Sequence, residues 1–208
     1  MPNWCSTRYE IHFPNHEEAQ AFYDKLESWC SVAHKSDFGE TWLRNIVVNS
    51  GIASLPEDGT FNIEPSFECR GWIAYTDISD DTVYIDTETA WCPMHDMWKA
   101  ILTKYAPDVS VTFYATEVGC GIYDTNDDSY VGKYVIDIFD KPDDIPFDSY
   151  TDDATADDIK ELAKILNIEF FEDCDINELI ELILNSGDIS CSINEWDTSE
   201  EFNLPVTE

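Results

Sequence analysis

The sequence predicts an α+β fold, an antiparallel sheet with two helices on one face, followed by a small C-terminal helical appendage. Three observations carry that expectation. Several segments alternate apolar and polar residues, two segments between them repeat apolar residues at helical spacing, and after Phe139 the chain turns acid-rich with two further helical repeats. The order strand, helix, strands, helix, strands suits a sandwich of the split βαβ, ferredoxin-like type.

Residues 5–13 (CSTRYEIHF) place Tyr9, Ile11 and Phe13 on one strand face. Asn15 and Glu18 have the spacing of an N-cap and capping-box pair. They open a helix to about Cys30, with Ala19, Phe22, Tyr23, Leu26 and Trp29 inward. Gly and Pro punctuate 51–65, and strands are expected at 70–76 and 82–90. Pro93 suits the first turn of a second helix, whose inner face holds Met94, Met97, Trp98, Ile101 and Tyr105. Strands over 109–117 and 129–139 complete a domain of residues 1–139. An acidic connecting segment, 140–155, leads to a helical region and tail, 156–208. Its helices span about 156–166, on Ile159, Leu162, Ala163 and Leu166, and about 176–185, on Ile176, Leu179, Ile180 and Ile183. Asp175 and Glu178 cap the second.

Charge bounds the function. The 208 residues carry 44 acids against 11 Lys and Arg, a formal charge of −33, yet 43% are hydrophobic and 13% aromatic. That is too much apolar material for intrinsic disorder. Such a surface avoids nucleic acid and anionic membranes, and its partners are cations or proteins with basic surfaces. Seven cysteines without a short CxxC pair, and no leader-like opening, read as reduced, mostly buried thiols of a cytoplasmic protein. No segment has the apolar length of a membrane span.

The opening MPNWC, the TAWCPMHDMW run and YATEVGCGIY together resemble the YubB-type ferredoxin-like family of plasmid- and phage-encoded accessory proteins. The matching positions are Met1 to Cys5, Trp91 to Pro93, and Tyr114, Glu117 and Gly119, within residues 1–139. The resemblance implies a ferredoxin-like fold and a mobile-element origin, and it supplies no catalytic residues. The chain departs from the family at Ser6, where Asn commonly follows the Cys, and in its acidic C-terminal region. The helices of that region are similar to a SAP-type helix-extended-helix module. Such modules bind DNA through Lys and Arg, whereas only Lys160 and Lys164 are basic here, which argues against direct DNA binding.

Candidate chemistries meet plainer alternatives. Cys92 and His95 put a thiol and an imidazole at a helix start, where a thiolate is favoured, but the same residues are those that pack such a start. Four His and seven Cys show no paired zinc-ligand spacing. DTNDDSY (124–130) begins like a calcium loop, but Ser129 and Val135 stand where Gly and Glu are needed, so an Asn/Asp-rich hairpin turn is the simpler reading. The glycines of GCG (119–121) mark a bulge or bend at a strand end. No catalytic residue, metal site or cofactor is expected, and the chain reads as a non-enzyme.

The charge itself remains. Residues 1–120 have 19 acids and 7 bases, and residues 121–208 have 25 and 4. Within 140–158 aspartates recur every four to five residues: Asp140, Asp143, Asp144, Asp148, Asp152, Asp153, Asp157 and Asp158. Ile145, Phe147 and Tyr150 are placed to tack this strip to the body, and a disordered linker is the competing reading. Duplex DNA carries one charge per ~1.7 Å, so 33 charges correspond to ~56 Å of duplex. The expectation is a phage- or plasmid-encoded DNA mimic. These eight aspartates would block the basic groove of a host nucleic-acid-binding defence protein, of the anti-CRISPR or anti-restriction kind. The alternative is a non-enzymatic protein-protein adaptor whose charge serves solubility and whose Leu179 or Ile183 recruits the partner.

Overall fold

A computed structural model describes residues 3–33, 39–55, 63–139, 141, 145–199 and 201–204. The chain is mixed α and β with antiparallel sheets, and it divides into two compact units, Met1–Asn126 with Ser199–Glu208, and Asp127–Thr198.

Strand β1 (Trp4–His12) is the spine of the first unit. It lies between β3 (Thr82–Ala90) and β4 (Ser110–Glu117), antiparallel to both. β2 (Gly71–Ser79) flanks β3, and β5 (Ile122–Thr125) folds back on β4, giving the order β2-β3-β1-β4-β5. Alternation sorts β1: Cys5, Thr7, Tyr9 and Ile11 are buried, while Arg8 lies on the other face and makes a two-pronged ion pair with Asp86 at 2.8 and 2.9 Å. Helix α1 (His16–Trp29) starts where Asn15 accepts the Glu18 N–H at 3.0 Å, and it buries Ala19, Phe22, Leu26 and Trp29. Helix α3 (His95–Tyr105), just after Pro93, buries Met97, Trp98, Ile101 and Leu102. Between them α2 (Leu43–Asn49) adds Leu43, Ile46 and Val47 to the same core.

The chain leaves this unit after Asn126 and returns to it. Phe202 is buried, its ring 5.3 Å from His95 and 5.9 Å from Tyr9, with Lys99 Nζ 5.1 Å above it. The second unit is therefore an insertion with both ends held. In it β6 (Tyr134–Ile138) lies between β7 (Tyr150–Ala154) and β8 (Cys191–Glu195), antiparallel to both. Helices α4 (Ala156–Ile165) and α5 (Ile176–Ser186) complete a core of its own, including Ile136, Ile138, Ile159, Leu162, Leu179 and Ile183. Asp175 caps α5 by accepting the Asn177 and Glu178 amides, and Gly187 at φ +74° ends it, a conformation that needs no Cβ.

Several expectations change. The strand expected over 129–139 is a 3-10 turn at Asp128–Tyr130 followed by β6, and β6 pairs in the second sheet rather than extending the first. DTNDDSY is accordingly a crossing between sheets and not a hairpin turn. Asn126 is spent on β4, accepting from the Phe113 amide at 2.8 Å and donating to the Val111 carbonyl at 2.7 Å. The tail expected to belong to the helical region instead packs Phe202 into the first core. Cysteine burial is uneven, with Cys5 and Cys69 buried but Cys92 and Cys120 exposed. Among the described residues no helix is long and apolar enough to cross a membrane.

His95 yields a pH prediction. It is buried against Phe113 and Phe202, its Nδ1 is 3.1 Å from the Tyr9 hydroxyl, and burial, helped by the Lys99 charge, lowers its pKa to about 4. The unfolded chain takes up this proton below pH ~6.5 and the folded chain does not, so stability falls as pH drops, by about 2 kcal/mol at pH 5. Urea unfolding at pH 7 and pH 5, followed by fluorescence of the six tryptophans of the first unit, should show that loss and show it abolished in His95→Gln.

Candidate partner-binding surface

The acid-rich segment is built into the second unit by local chemistry. Ile145 is buried in its core and Phe147 packs partly against it, which anchors the turn that carries Asp148. β7 follows as an edge strand. Asp152 and Asp153 fall at a register shift of the β6–β7 pairing, between Thr151 opposite Ile136 and Ala154 opposite Tyr134. Charged residues on an edge strand also discourage pairing with another chain. Thr155 then caps α4. Its hydroxyl accepts the Asp158 amide, and the Asp158 carboxylate accepts the Thr155 amide at 2.7 Å and the Thr155 hydroxyl at 2.6 Å.

The eight proposed aspartates separate accordingly. Asp140, Asp143 and Asp144 lie outside the described residues. Asp148, Asp152, Asp153 and Asp157 are exposed, and Asp158 is half-buried in the capping box. Asp148, Asp153 and Asp158 line one open depression of about 470 Å³, together with Glu161 and Lys133. Asp152 and Asp157 do not line it. Glu161 was missed as a site residue, although it stands three residues after Asp158, which places both on one helix face. Lys133 had no signal, because its position depends on β6 entering the second sheet.

Three sequence-level roles are corrected. Hydrogen bonds from Thr155 hold the Asp158 carboxyl below its ordinary range, so this group serves the helix start before any partner. Tyr150 is 52% exposed and pairs with Asp137 through β7, while Ile145 and Phe147 are the residues that join the core. Leu179 and Ile183, the recruiting residues of the adaptor alternative, are fully buried at helical spacing and hold α5 in its own core. The segment from Tyr150 to Asp158 is strand, cap and helix, which removes the linker reading for that part.

The motifs of the first unit converge at one end of its sheet. The Asn3 carbonyl accepts the Trp91 N–H at 3.0 Å. Glu117 accepts the Gly119 amide at 2.9 Å and the Cys120 amide as well, and these bonds, with that of the Cys120 side chain first among them, keep its carboxyl low. A Cβ at Gly119 would run into the Asn3 side-chain amide, so a larger residue there makes Asn3 shift. The arrangement ties a β4–β5 turn to the start of β1. The Cys120 thiol is raised by Glu117, opposite to what a nucleophile needs. Burial likewise pushes the Cys5 and Cys30 thiols up to about 12. Among the described residues no group of three or more His, Cys, Asp or Glu could hold a metal ion.

The capping box gives the second prediction. Thr155→Ala should cost about 1 kcal/mol, read as roughly fivefold faster amide hydrogen exchange in α4, while Asp157→Asn should change it little. Equal effects would mean that Asp158 acts by general charge rather than through its cap. Comparison of the chain with protein-family models, with curated proteins and with solved structures finds no match.

Proposed function

We propose that the protein is a non-enzymatic acidic mimic of duplex DNA that occupies the basic nucleic-acid groove of a host defence protein, with the second unit as its docking module. The observation that carries this reading is the placement of charge in that unit. Its 72 residues, 127–198, contain 21 acids against four lysines, net −17. Of its 18 described acids none is buried and 15 are exposed. Seventeen charges correspond to ~29 Å of duplex. A compact chain of this length has a radius of gyration of ~11 Å, hence a diameter of ~29 Å. The unit thus carries the charge of a duplex of its own length, and ten of its 18 described acids lie within its named strands and helices, the 3-10 turn included.

The first unit supplies context for this proposal. The strands β2-β3-β1-β4, with α1 and α3 as crossovers, support reading it as ferredoxin-like with α2 and β5 as additions. The suggested YubB-type kinship rests on these motifs, of which Asn3, Trp91 and the Glu117–Gly119 turn meet at one sheet end. A phage or plasmid origin and action in the host cytoplasm belong to the same proposal.

The test is competition. A labelled duplex bound to restriction enzymes and CRISPR effectors, which hold nucleic acid in positively charged channels, is titrated with this protein at ~0.1 M and ~1 M salt. Displacement at low salt that is lost at high salt is expected. Replacing Asp148, Asp152, Asp153 and Asp157 by Lys should weaken it at least tenfold. The same change at Glu17, Glu68, Asp96 and Asp108, exposed acids of the first unit, should weaken it far less. Equal loss from both sets, or displacement indifferent to salt, would sink the reading.

A further inference from the structure

Beyond the acidic surface, the second unit has a groove that charge mimicry does not use. The loop after α4 is held at both ends. Asn167, at φ +56°, donates to the Lys164 carbonyl at 3.1 Å and Ile168 to the Ala163 carbonyl at 2.9 Å, a Schellman stop. Farther on, the Cys174 amide donates to the Phe171 carbonyl at 3.0 Å and Lys160 Nζ to the Glu172 carbonyl at 3.3 Å. This pinned loop and α5 enclose a groove of about 690 Å³. Its apolar surface comes from Ile168, Phe170, Phe171 and Leu182. Phe171 is 82% exposed and Leu182 49%, large side chains set out in water on a fixed frame.

We infer that this groove docks an amphipathic, basic helical segment of a partner protein. The rim decides the occupant. Glu169 and Glu172 stand on the loop bank and Glu178 on the α5 bank, so an apolar stripe is flanked by carboxylates on both sides. Lys164, 3.4 Å from Glu172 and over the Phe170 ring, is the one cation among the described residues that line it. The complement is an apolar stripe at i, i+3, i+4 and i+7 flanked by Lys or Arg, the pattern of a helix laid in a groove. An added strand finds no sheet edge here, because the walls are loop and helix. A second copy at net −33 and an anionic lipid surface both meet repulsion at this rim.

The probe is a fluorescein-labelled 14-residue Leu/Lys peptide with its leucines on one helical face. Its control has the same composition with the leucines scattered. Anisotropy titration should show the amphipathic peptide binding at least tenfold more tightly than the scattered one. The double change Phe171→Ser and Leu182→Ser, at exposed positions and with folding checked by circular dichroism, should erase that preference and leave the weak charge-driven binding. The four-aspartate Lys variant of the acidic surface should retain it, which separates this inference from the DNA-mimic reading. Equal binding of the two peptides, or a preference that survives the double change, overturns it. So does a wild-type dimer in sedimentation that Phe171→Ser dissolves, or binding to neutral phosphatidylcholine vesicles that Phe171→Ser abolishes.

Discussion

Like-charge repulsion is the constraint on which the rest of this structure depends. A chain with 44 acids and 11 Lys and Arg is compact only if apolar burial outweighs its self-repulsion and every carboxylate finds water or a donor. Both conditions leave visible marks. Two separate cores form around central strands, β1 in one unit and β6 in the other, and each central strand pairs on both sides. The buried Glu117 receives two amide donors at a turn, the half-buried Asp158 receives one at a helix start, and Asp86 receives the Arg8 guanidinium.

Acids are also placed where the backbone favours them. The first turns of α1, α3, α4 and α5 hold Glu17 and Glu18, Asp96, Asp157 and Asp158, and Glu178, where the helix dipole and unpaired amides favour negative charge. The opposite ends have little to complement them, since the last turns of α1, α2 and α5 contain no basic residue. Structure alone thus explains part of the acid content. What it leaves over is the exposed acid of the second unit, denser than helix starts and an edge strand require, and that excess motivates the reading as a charge mimic.

The two candidate surfaces lie at opposite ends of α4, a helix of about 15 Å. At its N-terminal end Asp148, Asp153, Asp158 and Glu161 line an open polar depression; at its C-terminal end Phe170, Phe171 and Leu182 line an apolar groove with an acid rim. A partner that offers a basic groove and a neighbouring basic amphipathic helix would meet both. The division of labour is familiar from other interfaces: charge steers the encounter, and buried apolar anchors set the residence time.

The starts of α1 and α5 were legible in the sequence because each is written within four residues of chain. Asn15 with Glu18 and Asp175 with Glu178 located their helices closely, and the inner faces followed from spacing. Helix α2 was not legible: it has seven residues and no side-chain cap, and packing against the first core holds it in place. β7, YTDDA, lacks an apolar alternation and β8, CSINE, has only Cys191 and Ile193 to alternate, and both become strands where β6 offers an edge on each side. The sequence by itself determined composition, charge and the local caps. Only tertiary structure decided that β6 leaves the first sheet, that Phe202 returns to the first core, and which aspartates share a depression. Those outcomes rest on pairings between residues far apart in the chain, and no local pattern encodes which edge a strand will choose.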